Sequence, residues 1–263
     1  MQGDAPAQLV ELRSYRLVPG AADAFAEHFE RRFLASQEGL GMDIVGQFTV
    51  PGDDARFVWV RRFLRPAARG AALERFYTGP VWEAFGPRAN ELMVDHTDVH
   101  LLTPDRSAPE FAAGHVAHAA RTAGDGGDPG DGPGRVPGSG AEPASTVVAA
   151  VYDLGDGPRI LGLPTLPTGA AAAMADAIAP GPGAGPGACP GPTVVELGRL
   201  VTASVPNDFP RLPVHEGVTV GVWLLSDGAG GDAGTAAAEA VATRLGLPVR
   251  TTRLAPTARS TLR

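Results

Sequence analysis

The sequence predicts an α+β protein built from two consecutive βαββαβ units packed sheet to sheet. Three observations carry this reading. Strand-like alternation and helix-like apolar stripes succeed one another in the order β-α-β-β-α-β, and that order comes round twice in 263 residues. Short matches recur at equivalent places in the two halves. Between them lies a tract, GDGGDPGDGPGRVPGSG, whose composition cannot build a core.

The first strand is VELRSYRL, ended by Pro19 and Gly20. Strand parity puts Glu11, Arg13 and Tyr15 on one of its faces. The following AADAFAEHFERRFLASQ carries Phe25, Phe29 and Phe33 at i, i+4 and i+8, the stripe of an amphipathic helix. DIVGQFTV and RFVWVRRFL, joined by PGDD, read as a hairpin. AALERFYTG and PVWEAFGPRANELM are two helical pieces, with Pro80 suited to a helix start. DHTDVHLLTP closes the unit over about residues 8–105.

Residues 106–144 form the expected linker, and order resumes with STVVAAVYDL. A helix (GAAAAMADAIA), a strand pair (TVVELGRLVTAS, GVTVGVWLLSD), a helix (AGTAAAEAVATRLG) and a strand (VRTTRLAP) complete a second unit within 145–263. Tyr15 and Leu17 align with Tyr152 and Leu154, Val58-Trp59 with Val222-Trp223, and Leu102-x-Pro104 with Leu254-x-Pro256. A βαββαβ unit covers one sheet face with helices and leaves the other bare, so two units packed face to face bury both.

Under that alignment Glu11, Arg13 and Arg61 correspond to Val148, Ala150 and Leu225, while the Tyr and Trp are kept. A scaffold requirement acts on both halves, whereas a polar site need exist once, so the charged set is a candidate pocket lining. The alternative is that Glu11 simply pairs with Arg13 or Arg61, since buried ion pairs are commonly near-neutral structural features. Trp59, Tyr77 and Trp82 are candidates for the wall of a planar-ligand site, with Gln47 as an orienting amide; for large aromatics the competing reading is core.

Composition removes several function classes. A net charge of −7 and a pI near 5.4 argue against nucleic-acid or anionic-membrane partners. All 22 basic residues are Arg, so a Schiff-base lysine or a lysine phosphate clamp is absent. There is no phosphate loop and no GxSxG elbow. The start, MQGDAPAQ, lacks a signal-peptide pattern and no stretch is long and apolar enough to span a bilayer, so a cytoplasmic protein is expected. Cys189 stands in PGPGACPGP without a neighbouring base.

Neither metal nor haem nor any other cofactor is expected. His96, Asp98 and His100 read as one face of a strand, but residues four apart there are about 13 Å apart, too far for His96 and His100 to share an ion. His115 and His118 have helical spacing and no third ligand. His28, beside the Phe stripe, reads as a boundary residue.

Taken together, VELRSYRLVPG, the phenylalanine helix, RFVWVRRF, ERFYTGPVW and DVHLLTP resemble the NIPSNAP family, and the second half resembles the degenerate second copy of tandem bacterial members. The resemblance implies ferredoxin-like units forming a dimeric α/β-barrel, here within one chain. It implies no agreed reaction, because the wider superfamily includes cofactor-independent monooxygenases, cyclases, isomerases and haem enzymes. The expected function is binding, or cofactor-independent conversion, of a small hydrophobic, acidic or phenolic ligand in the barrel cavity. The rival is a non-catalytic scaffold, and further homodimerisation is left open. A cavity of about 300 Å³ lined by the charged set points to the first, and a barrel filled by side chains to the second.

Overall fold

The computed structural model describes residues 8–106, 111, 145–156, 159–160, 163–179, 194–228 and 231–262. The expected linker apart from Arg106 and Phe111, together with Cys189, His115 and His118, lies outside the described residues.

The first unit runs β1 (Leu9–Leu17), α1 (Ala22–Arg32), a short α2 (Leu34–Glu38), β2 (Asp43–Val50), β3 (Asp53–Phe63), α3 (Arg69–Tyr77), α4 (Pro80–Leu92) and β4 (Met93–Pro104). The second runs β5 (Thr146–Asp153), a small hairpin of β6 (Arg159–Ile160) and β7 (Leu163–Pro164), α5 (Ala170–Ile178), β8 (Val195–Thr202), β9 (Val220–Asp227), α6 (Ala233–Leu245) and β10 (Val249–Pro256). Pro80 does start α4, where its missing N–H costs nothing. No helix among the described residues is long and apolar enough to cross a membrane.

The two sheets close into one antiparallel barrel with strand order β1-β3-β2-β10-β5-β9-β8-β4. Besides facing each other, they join edge to edge at two seams. At one, Leu102 and Pro104 of β4 lie opposite Thr202 and Leu200 of β8; at the other, Phe48 and Thr49 of β2 lie opposite Pro256 and Ala255 of β10. Closure removes the open strand edges each unit would expose alone. Within the sheets, Glu11 lies opposite Arg61 and Arg13 opposite Trp59, and in the second unit Val148 lies opposite Leu225 and Ala150 opposite Trp223.

The interior of the barrel is packed with apolar side chains. Val10, Leu12, Phe48 and Leu102 meet Val147, Val222, Leu224 and Leu254 there, with Phe111 and Leu262 added from outside the strands. Phe111 fits because β8 bulges at a glycine: a Cβ on Gly198 would collide with the Phe111 ring. Outside the first sheet, α1, α3 and α4, with Phe33 at the joint between α1 and α2, lay Phe25, Phe29, Phe33, Phe76 and Ala89 over Tyr15 and Trp59. Outside the second, Ala170, Ala173, Ala237, Ala238 and Val241 cover Ala150, Trp223 and Leu225.

Candidate functional site

The parity of β1 sorts its side chains between two worlds. Val10 and Leu12 face the barrel interior; Leu9, Glu11, Arg13 and Tyr15 face the helices. Glu11 is fully buried and is held by three guanidiniums. Its Oε2 accepts from Arg13 Nη1 at 2.9 Å and from Arg61 Nη2 and Nε at 2.5 and 3.1 Å, and its Oε1 accepts from Arg69 Nε at 2.7 Å. Burial alone would raise the Glu11 pKa, but Arg61, Arg13 and Arg69 overcome it and hold the carboxyl well below the usual carboxylate range. Arg61 also donates to Gln37 Oε1 at 2.8 Å, and Arg13 Nε donates to the Tyr15 hydroxyl at 2.9 Å.

Three arginines against one carboxylate leave positive charge in surplus. Part of it is answered from the second unit: Arg69 Nη1 donates to Asn207 Oδ1 at 3.1 Å and to the Asp208 carboxylate. The same carboxylate accepts the Gly70 N–H at 2.9 Å. Gly70 permits this approach, because a Cβ there would lie 3.0 Å from Asp208 Oδ2. Counting Asp208, one formal positive charge remains over. Arg13 Nη2, Arg69 Nη2 and Trp59 Nε1 are buried without a hydrogen-bond partner among the described residues.

Against this charged floor lies a cavity of about 190 Å³ between sheet and helices. Tyr15, Trp59 and Gln37 form its base, Phe25, Phe29, Phe33, Phe76, Tyr77 and Trp82 its sides, and His96 and Met93 one end. The segment between β8 and β9 closes it with Phe209, Arg211 and Leu212. Phe209 stacks on Tyr77 with ring centroids 5.9 Å apart. Asn207 fixes the shape of that segment by accepting from the Phe209 N–H and donating to the Leu212 carbonyl. Burial and the neighbouring Tyr15 push the Tyr77 hydroxyl up to about 12, so at neutral pH it is a neutral hydrogen-bonding group. Because Arg13 occupies a lone pair of the Tyr15 oxygen, the Tyr15 proton is free to be donated elsewhere.

The family model for NIPSNAP matches residues 10–109, from β1, which carries this charged floor, to just beyond β4. The first unit is similar to NIPSNAP domains along its whole length. Among solved structures, a NIPSNAP domain protein from Burkholderia xenovorans is 25% identical at a TM-score of 0.36, over 39% of this chain and 99% of its own. A NIPSNAP-like domain protein from the same organism is 27% identical at a TM-score of 0.36, over 39% of this chain and 90% of its own. A putative monooxygenase from Fusobacterium nucleatum is similar over 97% of this chain and 94% of its own, at 8% identity and a TM-score of 0.49. No curated protein matches.

The first unit brings Glu11, Arg13, Tyr15, Trp59, Arg61, Tyr77 and Trp82 to one place, but in two layers. Tyr15, Trp59, Tyr77 and Trp82 line the cavity, and Glu11, Arg13 and Arg61 form the ionic network behind it. The expected pairing of Glu11 with Arg13 and Arg61 therefore exists. Gln47 lies opposite Trp59 on β2 and is fully buried, yet does not line the cavity; neither atom of its amide finds a partner among the described residues. The expectation of a cavity inside the barrel is corrected: apolar side chains of both sheets fill that space, and the open volume lies on the helix side of the first sheet.

A second correction concerns β4. A bulge between Asp95 and Asp98 breaks the strand's parity, so His96 turns to the cavity beside Tyr15, with ring centroids 6.3 Å apart, while Asp98 and His100 face the other way. β4 is flanked by β1 and β8. Burial, with His215 alongside, lowers the His100 pKa to about 4. His28 is a boundary residue whose Nε2 bonds the Phe85 carbonyl at 3.0 Å. Sequence reasoning missed Arg69 and Gln37, polar residues at helical spacing on the buried faces of α3 and α2, seven before Phe76 and four after Phe33, and it missed the Asn207–Leu212 segment, which has no periodicity. For that segment the visible hint is VPNDFPRLP, whose three prolines break any strand or helix pattern.

Proposed function

We propose that this protein binds a small planar acidic or phenolic molecule between the sheet and helices of its NIPSNAP-like domain, as a binding protein or a cofactor-independent enzyme. The observation that carries the reading is the surplus of buried positive charge directly behind an aromatic cavity. A cavity of about 150 Å³ suffices for benzene, so 190 Å³ fits one aromatic ring with a small polar substituent rather than a drug-sized ligand. Surplus positive charge in a low-dielectric setting favours an oxyanion over a neutral or cationic analogue. In an enzymatic cycle Tyr15 would donate to the developing oxyanion and the imidazole of His96 would take up or return the proton. We further take residues 8–105 as the first domain, 106–144 as a linker and 145–263 as a degenerate second copy, retained because its Asn207–Leu212 segment completes the pocket.

The test is calorimetric titration with a single-ring series: benzoate, salicylate and phenol against benzyl alcohol and benzylamine. The reading expects the order acid, phenol, alcohol, with no binding of the amine. A preference for the amine, or no heat from any of them, would overturn it. The packed barrel interior favours the rival, non-catalytic scaffold, and that reading expects the silent titration.

A further inference from the structure

Outside the cavity, at one end of the barrel, β4 presents Asp98 and His100 toward a residue from the second unit, His215. The segment before β9 is tied to β4 there: the His215 N–H donates to the Val99 carbonyl at 2.8 Å, and the Ala203 N–H to the Leu101 carbonyl at 2.9 Å. The three side chains offer two imidazole nitrogens and a carboxylate oxygen, all within 4.8 Å of one another. His215 Nε2 lies 2.9 Å from Asp98 Oδ1. His100 Nε2 lies 3.8 Å from the same oxygen, too far for a hydrogen bond, and it has no other partner among the described residues although the residue is only 7% exposed. An orphaned imidazole nitrogen at that distance is unusual in a core but ordinary around a metal: with bonds of about 2.1 Å, tetrahedral ligand atoms sit roughly 3.4 Å apart.

We propose that Asp98, His100 and His215 form a three-ligand site for a divalent transition metal of the Zn²⁺ type, built across the junction between the two units. Two imidazoles and one carboxylate suit that class of ion, and three protein ligands leave a further position for water or an added ligand. The spacing rule that separates His96 from His100 still holds; the third ligand comes from 115 residues beyond His100, where no local motif reaches (215 − 100 = 115). Arg250, whose Nη2 lies 3.8 Å from Asp98 Oδ2, has a side chain 60% exposed and is free to turn outward when an ion enters.

The experiment uses full-length protein without a histidine tag, stripped with chelator, then titrated with Zn²⁺ by calorimetry and with Co²⁺ by visible absorption. The expected result is one ion per chain, and a melting temperature that rises with Zn²⁺ because the ion binds only the folded junction. His215→Ala and Asp98→Asn should each weaken binding beyond the roughly 10- to 100-fold that losing an outer-shell partner costs. His215 is exposed and its main-chain bond to Val99 survives truncation, so that variant should melt like the wild type without metal. The double variant His115→Ala/His118→Ala should bind as the wild type does. Absence of stoichiometric binding, retention of binding in both ligand variants, or its loss in the His115/His118 variant would overturn the site.

Discussion

Glu11 is the residue on which the first unit's polar chemistry turns, and its three arginine partners make the consequences of substitution unequal. Glu11→Gln strands three buried guanidiniums and should cost about 3–5 kcal/mol, the penalty for breaking a buried ion pair from one side. Arg61→Leu removes one of three positive charges and leaves Glu11 paired with Arg13 and Arg69, so it should cost less. Chemical denaturation of both single variants and the double variant measures this. The Glu11–Arg61 coupling should fall within about 0.5–3 kcal/mol, and additivity would mean that the network is not cooperative. Tyr77 gives a pH prediction. Its folded pKa lies above its unfolded one, so the unfolded chain loses the proton first and stability falls as pH rises from about 10 to about 12. Ultraviolet titration should show a phenol ionising near pH 12 that disappears in Tyr77→Phe. At this scale the sequence is legible where parity rules: Glu11, Arg13, Tyr15, Trp59 and Arg61 all point to the helix side. It is illegible where a bulge intervenes, as at His96, or where the partner is non-local, as Arg69 is for Glu11.

The element that most alters the reading of the site is the irregular segment between β8 and β9. The hydrophobic patterns of β8 and β9 predict a strand pair, and the structure has one, but the polar stretch between them carries no periodicity from which its destination could be read. Its destination is the other unit's pocket, fixed by Arg69, Gly70 and Tyr77. Asp208→Ala should release it. Hydrogen bonds to charged groups contribute roughly 1.5–3 kcal/mol, and with the Asp208 side chain 40% exposed a loss of about 1–2 kcal/mol is expected. Hydrogen exchange should then quicken at the Phe209 and Leu212 amides while the β1 and β3 amides stay protected. Equal quickening throughout would mean that the segment is not a separable closure.

For the whole molecule, the barrel makes each unit incomplete in two distinct ways. Removing the second unit bares the interior side chains Val10, Leu12, Phe48 and Leu102 and reopens the edges of β2 and β4. That face and those edges are the ones a second copy of the first unit can fill, since the two seams of the intact barrel join the same kinds of strand. A protein of residues 8–105 should therefore sediment as a homodimer, or aggregate through its free edges, and a stable monomer would contradict the barrel as the source of stability. The dimer would still lack Asn207, Asp208 and Phe209, so Arg69 would keep Glu11 but lose its partners from the second unit, and the cavity would lose its closing wall. Such a dimer should bind benzoate at least tenfold more weakly than the full chain, because a charge-assisted hydrogen bond in a dry site is worth about 1.5–3 kcal/mol. Sedimentation and calorimetry on the same sample separate the two roles of the second unit: a dimer that binds as tightly as the full chain would leave it a role in barrel closure and none in the pocket.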